Sequence, residues 1–177
     1  GDLSLLLDRV RPQVAGELAS YIPELLRADP EGLGIAVVST RGKVYEAGDS
    51  DRQFTIQSVS KPFVYALALQ SQGIDAVSKH VAVEPSGEPF NAISLEESGR
   101  PRNPMINAGA IVVSSLIEGE TASEKSHAIA AGLSAFAGRD LLVDDAVFVS
   151  ELTTGDRNRA LAWLARAGGS LASTVDV

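Results

Sequence analysis

The sequence predicts a single mixed domain of the α/β (α+β) class, in which a helix and an antiparallel hairpin come first and a mainly helical stretch follows. Three observations carry this expectation. Apolar residues run near helical spacing through the first 27 positions; the β-branched run Leu33-Gly34-Ile35-Ala36-Val37-Val38 is separated by a glycine turn from Val44-Tyr45-Glu46-Ala47; and apolar-periodic segments fill the second half. With 177 residues, 45% hydrophobic and 21% charged, the chain has the size and composition of one globular domain, which excludes general disorder. Residues 1–177 are therefore read as one domain, with 1–60 as the helix and first strands and 61–177 as the mainly helical part.

Taken in order, Leu3, Leu6, Leu7, Val10, Val14, Leu18, Tyr21 and Leu25 follow helical spacing, while Pro12 and Pro23 remove backbone donors. One amphipathic helix is expected, then a short one beginning near Pro23. Gly42 in Thr40-Arg41-Gly42-Lys43 suits the positive φ of a hairpin turn. Past the loop-like cluster Gly48-Asp49-Ser50-Asp51-Arg52, the stretch Phe54-Thr55-Ile56-Gln57-Ser58 reads as an extended segment entering a helix that holds Phe63 to Leu69. Asp75 to Asn103, rich in Pro, Gly, Ser and Glu, shows no sustained period and reads as a long loop. Helices are expected over Ile106 to Ile117, Ser123 to Phe136 and Asp156 to Ala167, with Thr121-x-x-Glu124 as a capping box and Asp156 as an N-cap. The acidic pairs Glu96-Glu97 and Asp144-Asp145 are expected to face solvent.

Charge and composition then exclude function classes. Fifteen Lys plus Arg against 23 Asp plus Glu give a net charge of −8, which repels nucleic-acid phosphates and anionic lipid, so neither is an expected partner. No cysteine is present, which excludes disulfides, thiolate metal sites and thiol catalysis and points to a cytoplasmic protein. The N-terminus has an acidic start and a short apolar stretch closed by Asp8, so no secretion signal is expected. The longest uncharged stretch, Asn103 to Ile117, contains two Asn and a Pro and is too short to span a bilayer. Phosphate-loop, dinucleotide and HExxH patterns do not occur, and the two histidines, His80 and His127, stand far apart and read as surface or helix-face residues. No metal or cofactor is expected, and a Ser/His/Asp triad is hard to assemble.

The tetrad Ser58-Val59-Ser60-Lys61 is the chain's one Ser-x-x-Lys, placed where an extended segment turns into a helix. Three-residue spacing on a helical turn sets both side chains on one face, where a neutral lysine amine can take the serine proton. A free lysine is protonated near neutral pH, so burial or cationic neighbours must depress its pKa. A helix N-terminus also offers positive potential and free N–H groups to an oxyanion forming at Ser58. Pro62 lacks an N–H and disfavours α conformation at Lys61, so a distorted first turn is expected. The second cluster, Asn103-Pro104-Met105-Ile106-Asn107-Ala108-Gly109-Ala110, starts a helix whose small residues let another segment or a ligand approach closely. Asn107 there reads equally as a helix-start residue satisfying local backbone groups. Glu151 and Asn158 flank Thr153-Thr154-Gly155-Asp156, where capping or solvent exposure is the simplest role.

Together, Phe54-Thr55-Ile56-Gln57-Ser58-Val59-Ser60-Lys61, Val83-Glu84-Pro85-Ser86-Gly87-Glu88-Pro89-Phe90-Asn91, Pro101-Arg102-Asn103-Pro104-Met105-Ile106-Asn107-Ala108-Gly109-Ala110-Ile111, and Ser150-Glu151 with Arg157-Asn158 resemble the bacterial-type glutaminases, in order from about Tyr21 onward. The resemblance implies the fold of serine β-lactamases and penicillin-binding proteins, an antiparallel sheet beside a helical domain, and deamidation of L-glutamine to L-glutamate and ammonia. Carried over by position, it implies that Ser58 is the nucleophile and Lys61 its base, and that Gln57, Ser58, Asn107, Glu151 and Asn158 bind the substrate. A homo-oligomer without cofactor is the matching expectation. This chain departs from the family in Pro62, where an aliphatic residue is commoner, and in length. It stops before the segment that supplies the family's catalytic tyrosines, which Tyr21, Tyr45 and Tyr65 do not match, so it reads as an N-terminal portion with an incomplete sheet and no activity of its own. Two alternatives are a penicillin-recognising acyl-enzyme of the same fold, which would want the absent Ser-Asp-Asn and Lys-Thr-Gly motifs, and a non-catalytic glutamine-binding or interaction module.

Overall fold

The structure, a computed structural model, describes residues 2–13, 15–89 and 91–175. In chain order they form α1 (Asp2–Val10), β1 (Gly34–Val38), β2 (Val44–Gly48), α2 (Ser60–Gln72), α3 (Ile74–His80), α4 (Asn107–Ser115), α5 (Ala122–Ala137), α6 (Asp145–Thr154) and α7 (Asp156–Ala167), with 3-10 turns at Pro23–Arg27 and Gln57–Val59. The mixed class read from the sequence is the one observed. The chain divides into two compact units, one of Gly1–Thr55 with Asp144–Thr154, the other of Ile56–Val143 with Gly155–Val177.

In the first unit, β1 and β2 pair antiparallel from Gly34 opposite Gly48 to Val38 opposite Val44. Gly42 takes φ +77 in the connecting turn, which the Gly42 N–H closes onto the Ser39 carbonyl at 2.9 Å. α1 packs on this hairpin through buried Leu7. The helix ends at Val10, short of the longer periodic pattern, because Pro12 biases the residue before it away from α and withdraws a donor. Val14 of that pattern lies outside the described residues. The short helix expected at Pro23 is a 3-10 turn packed on α6, where the Glu24 N–H donates to Ser150 Oγ at 3.2 Å. Sequence periodicity did not announce α6, whose apolar residues Val147, Phe148, Val149 and Leu152 fit no single helical stripe. Its start is set by Asp144, whose Oδ1 accepts the Val147 N–H at 3.0 Å. Asp144 and Asp145 both face solvent, as expected.

The second unit has its core between α2 (Val64, Ala68), α3 (Val77), α4 (Val112, Val113) and α7 (Ala165), with Val81, Leu116 and Ile117 closing it. α5 docks on α2, with the Phe63 and Phe136 rings 5.2 Å apart. The capping box at its start is complete, Thr121 Oγ1 accepting the Glu124 N–H and Glu124 Oε2 accepting that of Thr121. Three expectations are corrected. The segment read as one long loop opens with α3, too short to display a period. Glu96 does not merely face solvent but pairs with Arg100 at 2.8 Å, which holds its carboxyl below the usual carboxylate range. At α7 the N-cap is Gly155; Asp156 is the first helical residue and pairs with Arg159 at 2.8 Å. Among the described residues no helix is long and apolar enough to cross a membrane.

Candidate active site

The tetrad lies at the start of α2, and the chain enters it differently from the extended path expected through Ser58. Ile56 is already in the right-handed helical region, and Gln57–Val59 is a 3-10 turn running directly into the helix. Gln57 has φ +45, the one positive φ among described non-glycine residues, a conformation that costs free energy and persists where its surroundings enforce it. Ser60 Oγ donates to the Gln57 carbonyl at 2.7 Å and fixes that peptide. Pro62 is the third residue of α2, where its missing N–H is one the helix would leave unbonded in any case. Lys61 lies inside the helix despite the proline after it, and the 3-10 turn ends before α2 begins.

Ser58 is exposed and Lys61 half-buried one turn later. Lys61 Nζ donates to Asn107 Oδ1 at 2.7 Å and to the Met105 carbonyl at 2.9 Å. Burial pushes its amine below the ordinary lysine value of 10.5. Asn107 is the first residue of α4 but does not cap it. With its oxygen turned to a group that donates, its Nδ2 donates in turn to Asn158 Oδ1 at 3.1 Å, so the first turns of three helices bring Lys61, Asn107 and Asn158 into a single polar chain. Arg157, beside Asn158, donates from Nε to the Asn91 carbonyl at 2.8 Å. The approach expected from the small residues after Asn107 is also present: a Cβ on Gly109 would lie 1.8 Å from the Asn103 carbonyl oxygen. Glu151 stands exposed on α6, in the first unit.

The sequence reading singled out no backbone carbonyl, so it missed that of Met105 as a partner of Lys61. A signal did exist: Asn103-Pro104 is a turn-forming pair immediately before α4.

Comparison with known proteins adds the lineage. The Glutaminase family profile matches residues 16–177. Glutaminase 2 of Bradyrhizobium diazoefficiens is 54% identical over 172 residues, which is 96% of this chain and 27% of that protein. The glutaminase of Corynebacterium glutamicum is 51% identical over 163 residues, 91% of this chain and 40% of its own length. Among solved structures, the native form of Mglu superposes with a TM-score of 0.91 at 44% identity, covering 99% of this chain and 43% of that one. A probable glutaminase from Bacillus subtilis, complexed with 6-diazo-5-oxo-L-norleucine, gives 0.87 at 35% identity, covering 99% and 54%. The chain thus spans about a quarter to a half of the length of these relatives. A profile match over nearly all of its residues, together with identities near one half, shows that the chain belongs to the glutaminase family.

Proposed function

We propose that the protein carrying this chain hydrolyses L-glutamine to L-glutamate and ammonia, with Ser58 as the nucleophile and Lys61 as its base. The observation that carries this reading is the Lys61 amine, held between the Met105 carbonyl and the Asn107 amide oxygen and pushed toward its neutral form by burial, one helical turn after Ser58. Neutral Lys61 takes the Ser58 hydroxyl proton as Oγ bonds to the side-chain amide carbon of glutamine. The C–N bond then breaks, the proton passes from Lys61 to the departing nitrogen, and ammonia leaves a γ-glutamyl ester on Ser58. Water adds to the ester carbon, Lys61 relays its proton back to Ser58 Oγ, and glutamate is released. Both halves balance with protein groups and water, so no cofactor is invoked.

The substrate's α-ammonium calls for a carboxylate, the role given to Glu151, while Gln57, Asn107 and Asn158 supply amides for its α-carboxylate. The same reading takes the protein to be a cytoplasmic homo-oligomer. The test is glutamine-dependent ammonia release by the full-length protein. Lys61→Ala is expected to lower kcat by about 100- to 10,000-fold, the usual share of general acid–base catalysis. Release by the wild type no faster than by Ser58→Ala overturns the reading.

A further inference from the structure

Asn103 bonds the backbone on both sides of the carbonyl that holds Lys61. Its Oδ1 accepts the N–H groups of Met105 at 3.0 Å and Ile106 at 3.2 Å, and its Nδ2 donates to the Glu84 carbonyl at 2.9 Å. The turn from Asn103 to Ile106 is thereby closed on itself and tied to the segment before it, where the Glu84 N–H donates to the Arg102 carbonyl at 2.8 Å. From the other side α4 presses against the turn. At Gly109 an added Cβ would lie 1.8 Å from the Asn103 oxygen and 2.7 Å from its carbonyl carbon, closer than any real contact allows. Buried Pro104 fixes the remaining backbone angle. The turn cannot slide, and what projects from it is the Met105 carbonyl, 2.9 Å from Lys61 Nζ.

We infer that Asn103 is a positioning residue for the reaction: it fixes the Met105 carbonyl, which together with Asn107 Oδ1 accepts from the Lys61 amine and orients it. The inference rests on the reading of Lys61 as the base. A neutral amine has two N–H groups and one lone pair. Met105 O and Asn107 Oδ1 are fixed acceptors for its N–H groups, so they narrow the directions open to the lone pair before the Ser58 proton arrives. With the Met105 carbonyl displaced, the amine is held less tightly about its Cε–Nζ bond and its lone pair points elsewhere for more of the time. After proton transfer the same two oxygens hold the ammonium, and the acquired proton is the one left to be returned.

In the full-length protein Asn103→Ala removes all three side-chain bonds and is expected to lower kcat for glutamine by about 10- to 100-fold, as a misplacement near 1 Å does, with KM changed by less than about twofold. Asn103→Asp keeps both acceptor bonds to the turn and gives up the donation to Glu84, so it is expected to recover most of the lost kcat. Gly109→Ala, displacing the turn from the other side, is expected to match Asn103→Ala. Should Asn103→Ala not fold, Asn103→Ser, whose hydroxyl still accepts one N–H, carries the test with an intermediate kcat. An unchanged kcat, a loss confined to KM, or an Asn103→Asp variant as poor as Asn103→Ala overturns the inference. A wild type that releases no ammonia overturns the glutaminase reading instead. The positioning role is then read from competitive acetylation of amines across pH, followed peptide by peptide. The reactivity curve of Lys61 is expected to move in Asn103→Ala while those of Lys43, Lys79 and Lys125 stay, and an unmoved Lys61 curve overturns it.

Discussion

As the proposed base, Lys61 would act only while its amine is neutral, and burial favours the neutral form at lower pH than in a free lysine. The sign follows directly. Burial penalises the ammonium, so the folded-state pKa lies below 10.5, and as pH falls through that depressed value the amine takes a proton and loses its lone pair. We expect kcat to show an acid limb with its midpoint below the ordinary lysine value, falling tenfold per pH unit beneath it. kcat is the quantity to follow, because it reports groups in the enzyme–substrate complex and is blind to the titration of free glutamine's own amine. A kcat flat with pH on the acid side removes Lys61 as the base. At this scale the tetrad was legible because its chemistry demands two residue types at a fixed spacing on one turn. Its supports were not: the Met105 carbonyl has no signature in residue type, Lys61 reaches it across 44 positions, and the φ of Gln57 belongs to a residue that ordinarily avoids that region.

Helix α5 shows how much of an element can be read from its ends. Thr121 and Glu124 satisfy each other's backbone N–H groups, and the Glu120 N–H also donates to Glu124. These bonds, from Glu120 first and then Thr121, hold the Glu124 carboxyl below its usual range. The stabilisation is therefore present above the ordinary carboxylate pKa and is lost as pH falls through the depressed one. Thr121→Ala is expected to cost about 1 kcal/mol, the usual effect of deleting a threonine cap, with kcat at a saturating substrate level unchanged. A melting temperature equal to wild type would show that the box contributes nothing. α5 and α7 were visible in the sequence because each runs three turns or more. α3, of seven residues, and α6, whose apolar residues fall on several faces, escaped because periodicity needs length and one buried stripe to express itself. The hairpin was legible for a different reason: the β-branched run ending in Val37-Val38 and the pair Val44-Tyr45 flank a turn whose Gly42 takes the positive φ that only glycine adopts freely.

For the whole molecule, the decisive fact is the ratio of its length to that of its relatives. The hairpin is the sheet of the described residues, and Val37, Val38, Val44 and Tyr45 on it are each 46% to 64% exposed. Two strands alone are marginal in water, and apolar side chains on an uncovered sheet favour pairing with another chain. The relatives run from a little under two to nearly four times as far. Family membership was legible here from ungapped motifs, whereas what covers the hairpin was not, because that depends on residues these motifs do not contain. We therefore expect the 177-residue segment by itself to release ammonia from glutamine at least about 100-fold more slowly than the full-length protein, the scale set by loss of a single oxyanion donor. Its hairpin should also drive concentration-dependent association, seen as a rising apparent mass in sedimentation. Supplying the remaining length, fused or in trans, should restore turnover and suppress that association together, since one set of residues would both cover the sheet and complete the site. Turnover by the segment equal to that of the full-length protein would show that everything the reaction needs already lies within these 177 residues.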